Sequence, residues 1–177
     1  MGDLLTFAPS RVRMLRGQPG GHHGCRRGTS ATAWYDAGCR LEASEHPQRA
    51  IAAYQRALAG RPDFADAHNN LGRLLHDAGS VAAAETSYRL AICADAGVAL
   101  YWFNLGVAVE DQGRRAEAIA AYERALALDA GIADAHYNLA RLLELTGRRI
   151  GDDAMLQSAV RHLLQYRALT RRDARAR

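Results

Sequence analysis

Asn70, Asn104 and Asn138 stand at intervals of 34 residues, and the residues before them are Asn69, Phe103 and Tyr137. One interval upstream the same two positions hold Tyr35 and Asp36. A carboxamide offers two donors and one carbonyl acceptor, so an evenly spaced row of them can hydrogen-bond an extended backbone of any sequence. The same groups can instead brace the elements that carry them, and the sequence leaves both readings open. Three positions on, the row is Cys39, Arg73, Val107 and Arg141, followed by Glu42, His76, Glu110 and Glu144. A guanidinium pairs bidentately with carboxylates, so Arg73 and Arg141 are candidates for a carboxylate ligand. Ion pairs with nearby Glu110 or Glu144 are the competing reading.

Other reactive groups point nowhere in particular. His68 and His136 share a column with Trp34 and Trp102, which marks them as packed, hydrogen-bonded residues rather than ligands. His22, His23 and Cys25 lack a fourth ligand at zinc-motif spacing, and no metal or cofactor is expected. Cys93 is expected to be buried and inert. The acidic pairs Glu110–Asp111 and Asp152–Asp153 read as solvated helix faces or caps. No phosphate-cradling glycine loop, zinc-binding HExxH or nucleophile elbow is present, so no catalytic residue is assigned and the chain is not expected to be an enzyme.

The elements that carry these rows must be helical. Ala and Leu dominate the apolar residues, while Val, Ile and Thr are few, a mixture that favours helices. No run of about 20 apolar residues exists to span a membrane, and the start does not read as a secretory signal. Three widely spaced cysteines, Cys25, Cys39 and Cys93, argue against a disulfide framework and fit a reducing, cytoplasmic setting. All 23 cations are Arg, which suits a GC-rich, bacterial coding sequence. The net charge of +4 is unevenly spread. Residues 1–30 hold five Arg and one Asp, and residues 167–177 hold the same, giving +4 at each end. Residues 31–166 hold 13 Arg and 17 acids, giving −4. Because the basic charge sits at the ends, nucleic acid is not an expected partner of the body.

The 34-residue interval extends through the whole body, the mark of a repeat array. Trp34, His68, Trp102 and His136 share one column; Ala37, Leu71, Leu105 and Leu139 share another; Gly38, Gly72, Gly106 and Ala140 follow. A second block aligns Ala50, Ala84 and Ala118, then Tyr54, Tyr88 and Tyr122, then Ala57, Ala91 and Ala125. Each block has the i, i+3, i+4, i+7 spacing of one helix face. Gly79, Gly113 and Gly147 fall between the blocks and are expected to turn the chain. The glycines of the first helix are expected to face the small alanines of the second, with the large aromatic residues filling the seams between hairpins. In repeat 1, Glu45 stands where the turn glycine should be, and Pro47 suits the first turn of the next helix. Gly97 and Gly131 are expected to stop the second helices.

These columns resemble the tetratricopeptide repeat family, whose pattern is an aromatic, Leu-Gly, Tyr or Leu, then Ala, an aromatic, Ala and Pro. WFNLGVAVEDQGRRAEAIAAYERALALDA, starting at Trp102, matches almost throughout, and the resemblance covers roughly residues 31–147. It implies an all-α, right-handed α-solenoid of antiparallel helix hairpins. The units would be 31–64, 65–98, 99–132 and 133–170, with a capping helix over roughly 153–170. Gln157, Arg161, Gln165 and Arg167 would form its wet side. Residues 1–30 are expected to be a flexible basic arm, with a short helix near Ser10–Arg16, and residues 171–177 a basic tail.

The resemblance also implies an inner wall lined by the first helix of each unit. Its groove residues would be Tyr35, Asn69, Asn70, Arg73, Phe103, Asn104, Val107, Tyr137, Asn138 and Arg141. Related proteins use asparagine in this column as a ladder along a bound peptide. Chaperone-binding members use basic residues where this chain has Tyr35 and Cys39, so that particular tail is disfavoured. The expected function is a scaffold holding a protein or peptide partner, with no membrane contact and with weak self-association through the exposed first repeat. Alternatives are a regulatory module of a bacterial transcription regulator or of a truncated multidomain enzyme.

Overall fold

A computed structural model describes residues 30–175 of the chain. Among the described residues there are eight helices and no strand: α1 Ala31–Ala43, α2 Pro47–Gly60, α3 Ala65–Asp77, α4 Val81–Ala94, α5 Ala99–Asp111, α6 Arg115–Leu128, α7 Ala133–Ile150 and α8 Asp153–Arg175. Successive pairs form hairpins, and each hairpin packs on the next, giving an all-α solenoid. The arm 1–29, with the helix expected near Ser10–Arg16 and the His22, His23 and Cys25 group, lies outside the described residues.

The turns follow from the sequence with one local cost. Gly79 and Gly113 adopt φ values of 80° and 77°, a left-handed conformation that glycine adopts without a Cβ penalty. Repeat 1 has no glycine there, and Glu45 takes the same conformation with φ 58°. For a residue with a side chain this costs about 1–2 kcal/mol. Pro47 opens α2, where its missing N–H is harmless. Ser30 caps α1 by accepting the Ala33 N–H at 3.2 Å.

Gly97 and Gly131 do not end the second helices by turning left-handed. The caps are Asp95 and Asp129, whose carboxylates accept the Gly97 and Gly131 N–H groups at 2.9 and 2.8 Å. Gly147 also departs from expectation, because it lies inside α7. The residues inserted after it supply one more helical turn, and Gly151, at φ 72°, ends the helix instead. Gly147 is still required to be small: a Cβ there would come within 3.0 Å of the Asp152 carbonyl and 3.1 Å of Met155 Cβ. α8 runs on to Arg175, through the start of the segment read as a basic tail. Ala159 is buried beneath it, while Gln157, Arg161, Gln165 and Arg167 are exposed.

The packing inside a hairpin is large on small, not small on small. A Cβ at Gly38, Gly72 or Gly106 would fall 2.5, 2.8 or 2.6 Å from the ring of Tyr54, Tyr88 or Tyr122 in the same repeat. Each glycine is therefore the floor on which its own tyrosine ring lies. All three tyrosines are fully buried, and each ring contributes one of the largest apolar burials in its unit.

Candidate functional site

The first helices form the inner layer of the solenoid, with α3 touching α5 directly as well as its hairpin partner α4. Side-chain links join first helices of adjacent units. Asn70 donates to the Tyr35 hydroxyl at 3.2 Å. Asn104 donates to the Asn69 carbonyl at 2.9 Å, and Asn69 donates to the Asn70 carbonyl at 3.3 Å. Arg73 pairs with Glu42, and Arg141 with Glu110. His76 meets Asp111 at 2.6 Å, and the Tyr101 hydroxyl donates to Asp66 at 2.6 Å.

The buried tyrosines extend this mesh through each hairpin. The Tyr54 hydroxyl crosses beneath Gly38 to donate to Glu42 at 2.6 Å. Tyr122 does the same to Glu110 at 2.9 Å. Asn70 and Asn138 then donate to those hydroxyls from the next unit, at 3.5 and 3.4 Å. One module therefore recurs at the first and third seams: tyrosine and glutamate from one repeat, arginine and asparagine from the next. Burial pushes the Tyr54 phenol up, and its bonds to Cys39 and Glu42 push it further. Burial raises Tyr122 likewise, with Asn138 opposing in part. Both phenols stay neutral donors at neutral pH. Burial pulls the Arg141 guanidinium below its ordinary value.

Eight of the ten residues expected in the groove are buried: Tyr35, Asn69, Asn70, Arg73, Phe103, Asn104, Val107 and Asn138. Tyr35 lies against Tyr54 and Phe64, and Phe103 against Tyr122. The asparagines brace neighbouring units, which was the second of the two readings of their column. The reason is geometric: these columns lie in the cleft between successive first helices, so a carboxamide reaches the preceding repeat before it reaches solvent. Arg73, at 5% exposure, is likewise committed to Glu42 and Asp77. Glu110 is not on a solvated face, since Tyr122 and Arg141 hold it, whereas Asp152 caps α8 through the Ala154 and Met155 N–H groups.

Tyr137 and Arg141 remain partly open. Tyr137 stacks on Tyr166 of α8 with ring centroids 5.2 Å apart. The accessible face around them is acidic, with Asp36, Asp77 and Asp111 exposed and Asp66 and Asp134 half-buried. The Arg141–Glu110 pair agrees with the ion-pair reading of that arginine, whereas Arg73 pairs with Glu42 and the part of the two tyrosines was not read from the sequence; the signal for both pairs was opposite charges 31 residues apart.

The histidine column behaves as expected. His68 and His136 donate their Nε2 protons to the carbonyls of Pro62 and Ala130 at 2.9 and 3.2 Å. Trp102 donates its indole N–H to the equivalent Ala96 carbonyl at 3.0 Å. What Trp and His share at this position is a ring N–H. Cys93 is exposed, not buried, because its column lies on the outer side of α4. Among the described residues no three His, Cys, Asp or Glu side chains converge to hold a metal ion. No described helix is long and apolar enough to cross a membrane.

Comparison with known proteins agrees with this geometry. Models of the tetratricopeptide repeat match residues 35–99 and 99–131. The chain belongs to the tetratricopeptide repeat family. A crystal structure of MamA superposes with a TM-score of 0.72 at 19% identity, over 82% of this chain and 81% of that one. MamA from Desulfovibrio magneticus RS-1 gives 0.68 at 22% identity, over 81% and 77%. The first repeat domain of Spaghetti (RPAP3), bound to the HSP90 peptide SRMEEVD, gives 0.64 at 20% identity, over 66% and 93%. At these identities the likeness is one of fold. No curated protein sequence matches the chain.

Proposed function

We propose that the chain is a non-catalytic, cytoplasmic scaffold that holds an extended peptide or helix of a partner protein along its inner wall. The observation that carries this reading is the wall itself. Hydrogen-bonded links between units fix its shape in advance, which lowers the ordering cost of binding. The first repeat domain of Spaghetti (RPAP3) has been solved bound to a peptide, which supports the same use of the fold. The contact residues offered are Tyr137, Arg141 and the exposed aspartates, with the buried asparagines setting their spacing.

The test is site-specific photocrosslinking in cells. A photoreactive amino acid is placed at Tyr137 or Asp111 on the inner wall, and at Gln55 or Arg124 on the outer helices. Capture of one defined protein from the inner positions alone is the expected result. Equal capture from both faces, or none from the inner wall, overturns the reading.

A further inference from the structure

α8 has 23 residues, a length of about 34 Å, and among the described residues no repeat packs beyond it. One side of it carries Asp153, Gln157, Val160, Leu164, Arg167 and Arg171, all exposed. At about 100° per residue the six lie within an arc of about 80°. Their intervals are four, three, four, three and four, the heptad spacing of a helix that packs along a second helix. Val160 and Leu164, at 44% and 57% exposure, form the apolar centre of this stripe. The fold does not need them there, since α8 is anchored to α7 from other positions. Ala159 is buried, Tyr166 stacks on Tyr137, and His162 meets His136 at 2.8 Å.

The stripe matches itself when turned end for end. About a two-fold axis at residue 162, an antiparallel copy sets Val160 against Leu164, Gln157 against Arg167 and Asp153 against Arg171. Apolar meets apolar at the centre, a guanidinium can donate to the carboxamide carbonyl beside it, and carboxylate meets guanidinium at each end. A parallel pairing would instead set Arg171 on Arg171 and Asp153 on Asp153, so charge selects the antiparallel arrangement. Asp153, Arg167 and Arg171 take part in no ion pair among the described residues. Arg161, beside the stripe, is turned back onto Ser158 at 2.7 Å. An acidic start and a basic end also suit the dipole of a lone helix. The dipole gives no reason for two exposed apolar side chains between them.

We propose that two copies of the chain pair through α8 as an antiparallel, two-fold dimer. Self-association then uses the last helix and not the first repeat, where Arg40 is exposed. A single pair of helices stands at the small end of specific interfaces, near about 1,200 Å². The dimer is therefore weak, with a dissociation constant on the order of micromolar. The inner walls are built on the first helices and stay open in it. On the reading of that wall as the binding face, the dimer offers one partner two sites.

Sedimentation equilibrium of the full chain at concentrations up to about 0.5 mM tests the proposal. The native chain is expected to show a monomer–dimer equilibrium. Leu164→Glu changes an exposed position outside the repeat core, and should raise the dissociation constant at least about tenfold. Asp153→Arg and Arg171→Asp should each raise it about threefold or more. Together they exchange the two ends of the same pair, so the double variant should recover the native value. Circular dichroism follows the folding of each variant. A native chain that stays monomeric, association that continues past a dimer, a dimer indifferent to Leu164→Glu, or a double variant no better than the single ones overturns the proposal. So does a photoreactive amino acid at Leu164 that captures another protein and no second copy. The oligomeric state is read without a partner, so its failure and the failure of inner-wall capture are separate results.

Discussion

The glycine at the centre of each hairpin has a testable partner. A Cβ built on Gly106 falls 2.6 Å from Tyr122 Cε1, 2.7 Å from Cδ1 and 3.1 Å from Cζ. Real side chains do not approach this closely, so Gly106→Ala must push out a ring that is 0% exposed and that anchors Glu110. Overpacking of this kind costs about 1–3 kcal/mol, and disturbing a buried hydrogen bond adds about 1–3 kcal/mol. The expected total is about 2–6 kcal/mol. Tyr122→Leu alone removes the hydroxyl and leaves a small void, and should cost about 2–3 kcal/mol. In repeat 4 Ala140 stands in the glycine column, and Leu163 follows the buried Ala159 by the same spacing at which Tyr122 follows Ala118. The double variant copies that pair, so its cost should fall at least about 1 kcal/mol below the sum of the single costs. Urea unfolding followed by circular dichroism gives all four corners of the cycle. Strict additivity, or a Gly106→Ala cost below about 0.5 kcal/mol, would refute the assignment of ring to glycine.

Further outcomes are expected. Glu45→Gly removes the strained left-handed glutamate and should stabilise the chain by about 1 kcal/mol, seen as a Tm rise of about 2–4 °C. Burial raises Tyr35, Tyr54, Tyr88, Tyr101 and Tyr122 above their ordinary value of 10. The unfolded chain therefore ionises first, stability is lost as pH climbs above 10, and phenolate absorbance should appear together with loss of helix. Burial, then His136 and Arg161, lowers His162 below 6.5, so the folded state resists a proton that the unfolded state accepts; stability should drop as pH falls through 6.5, and His162→Gln should flatten that slope. The Glu85 carboxyl, which partial burial pushes up but Arg114, Gln112 and Arg89 hold at about 2, acts in a separate window, its contribution being lost only between about pH 4.5 and 2. Finally, Arg40→Leu with Arg167→Leu should produce species in sedimentation that grow with concentration beyond those of the native chain, because it uncovers apolar columns at both ends of the stack.

Much of the fold was legible because repetition exposes it. Columns at 34-residue spacing mark the hairpins, Gly79 and Gly113 mark two turns, and Pro47 suits a helix start. The fourth unit was harder to read, since an extra helical turn shifted its glycine from 147 to 151 without breaking the apolar pattern. The site was less legible than the fold. A column shows that Asn70, Asn104 and Asn138 face the same way. It does not show how far each carboxamide must travel to meet a partner, and the nearest acceptor is set by the distance between helices. The fully buried Asn104 depends on Asn69 across a seam, a contact that no single repeat contains.

The ends of the stack and its inner wall follow one rule. In the internal units Leu74, Ala108 and Leu142 are buried against the preceding repeat, and the first unit has exposed Arg40 in that column. Leu58, Ile92 and Leu126 pack towards the following repeat, and α8 has exposed Arg167 in theirs. An apolar side chain stands wherever a neighbour exists, and an arginine where none does. Val160 and Leu164 on α8 depart from this rule, since both are exposed apolar side chains with no following repeat. On the inner wall the same logic applies to charge: Arg73 and Arg141 each meet a glutamate of the preceding repeat, Glu42 and Glu110. Charges are paired where a seam buries them, as apolar side chains stand where a neighbouring repeat covers them.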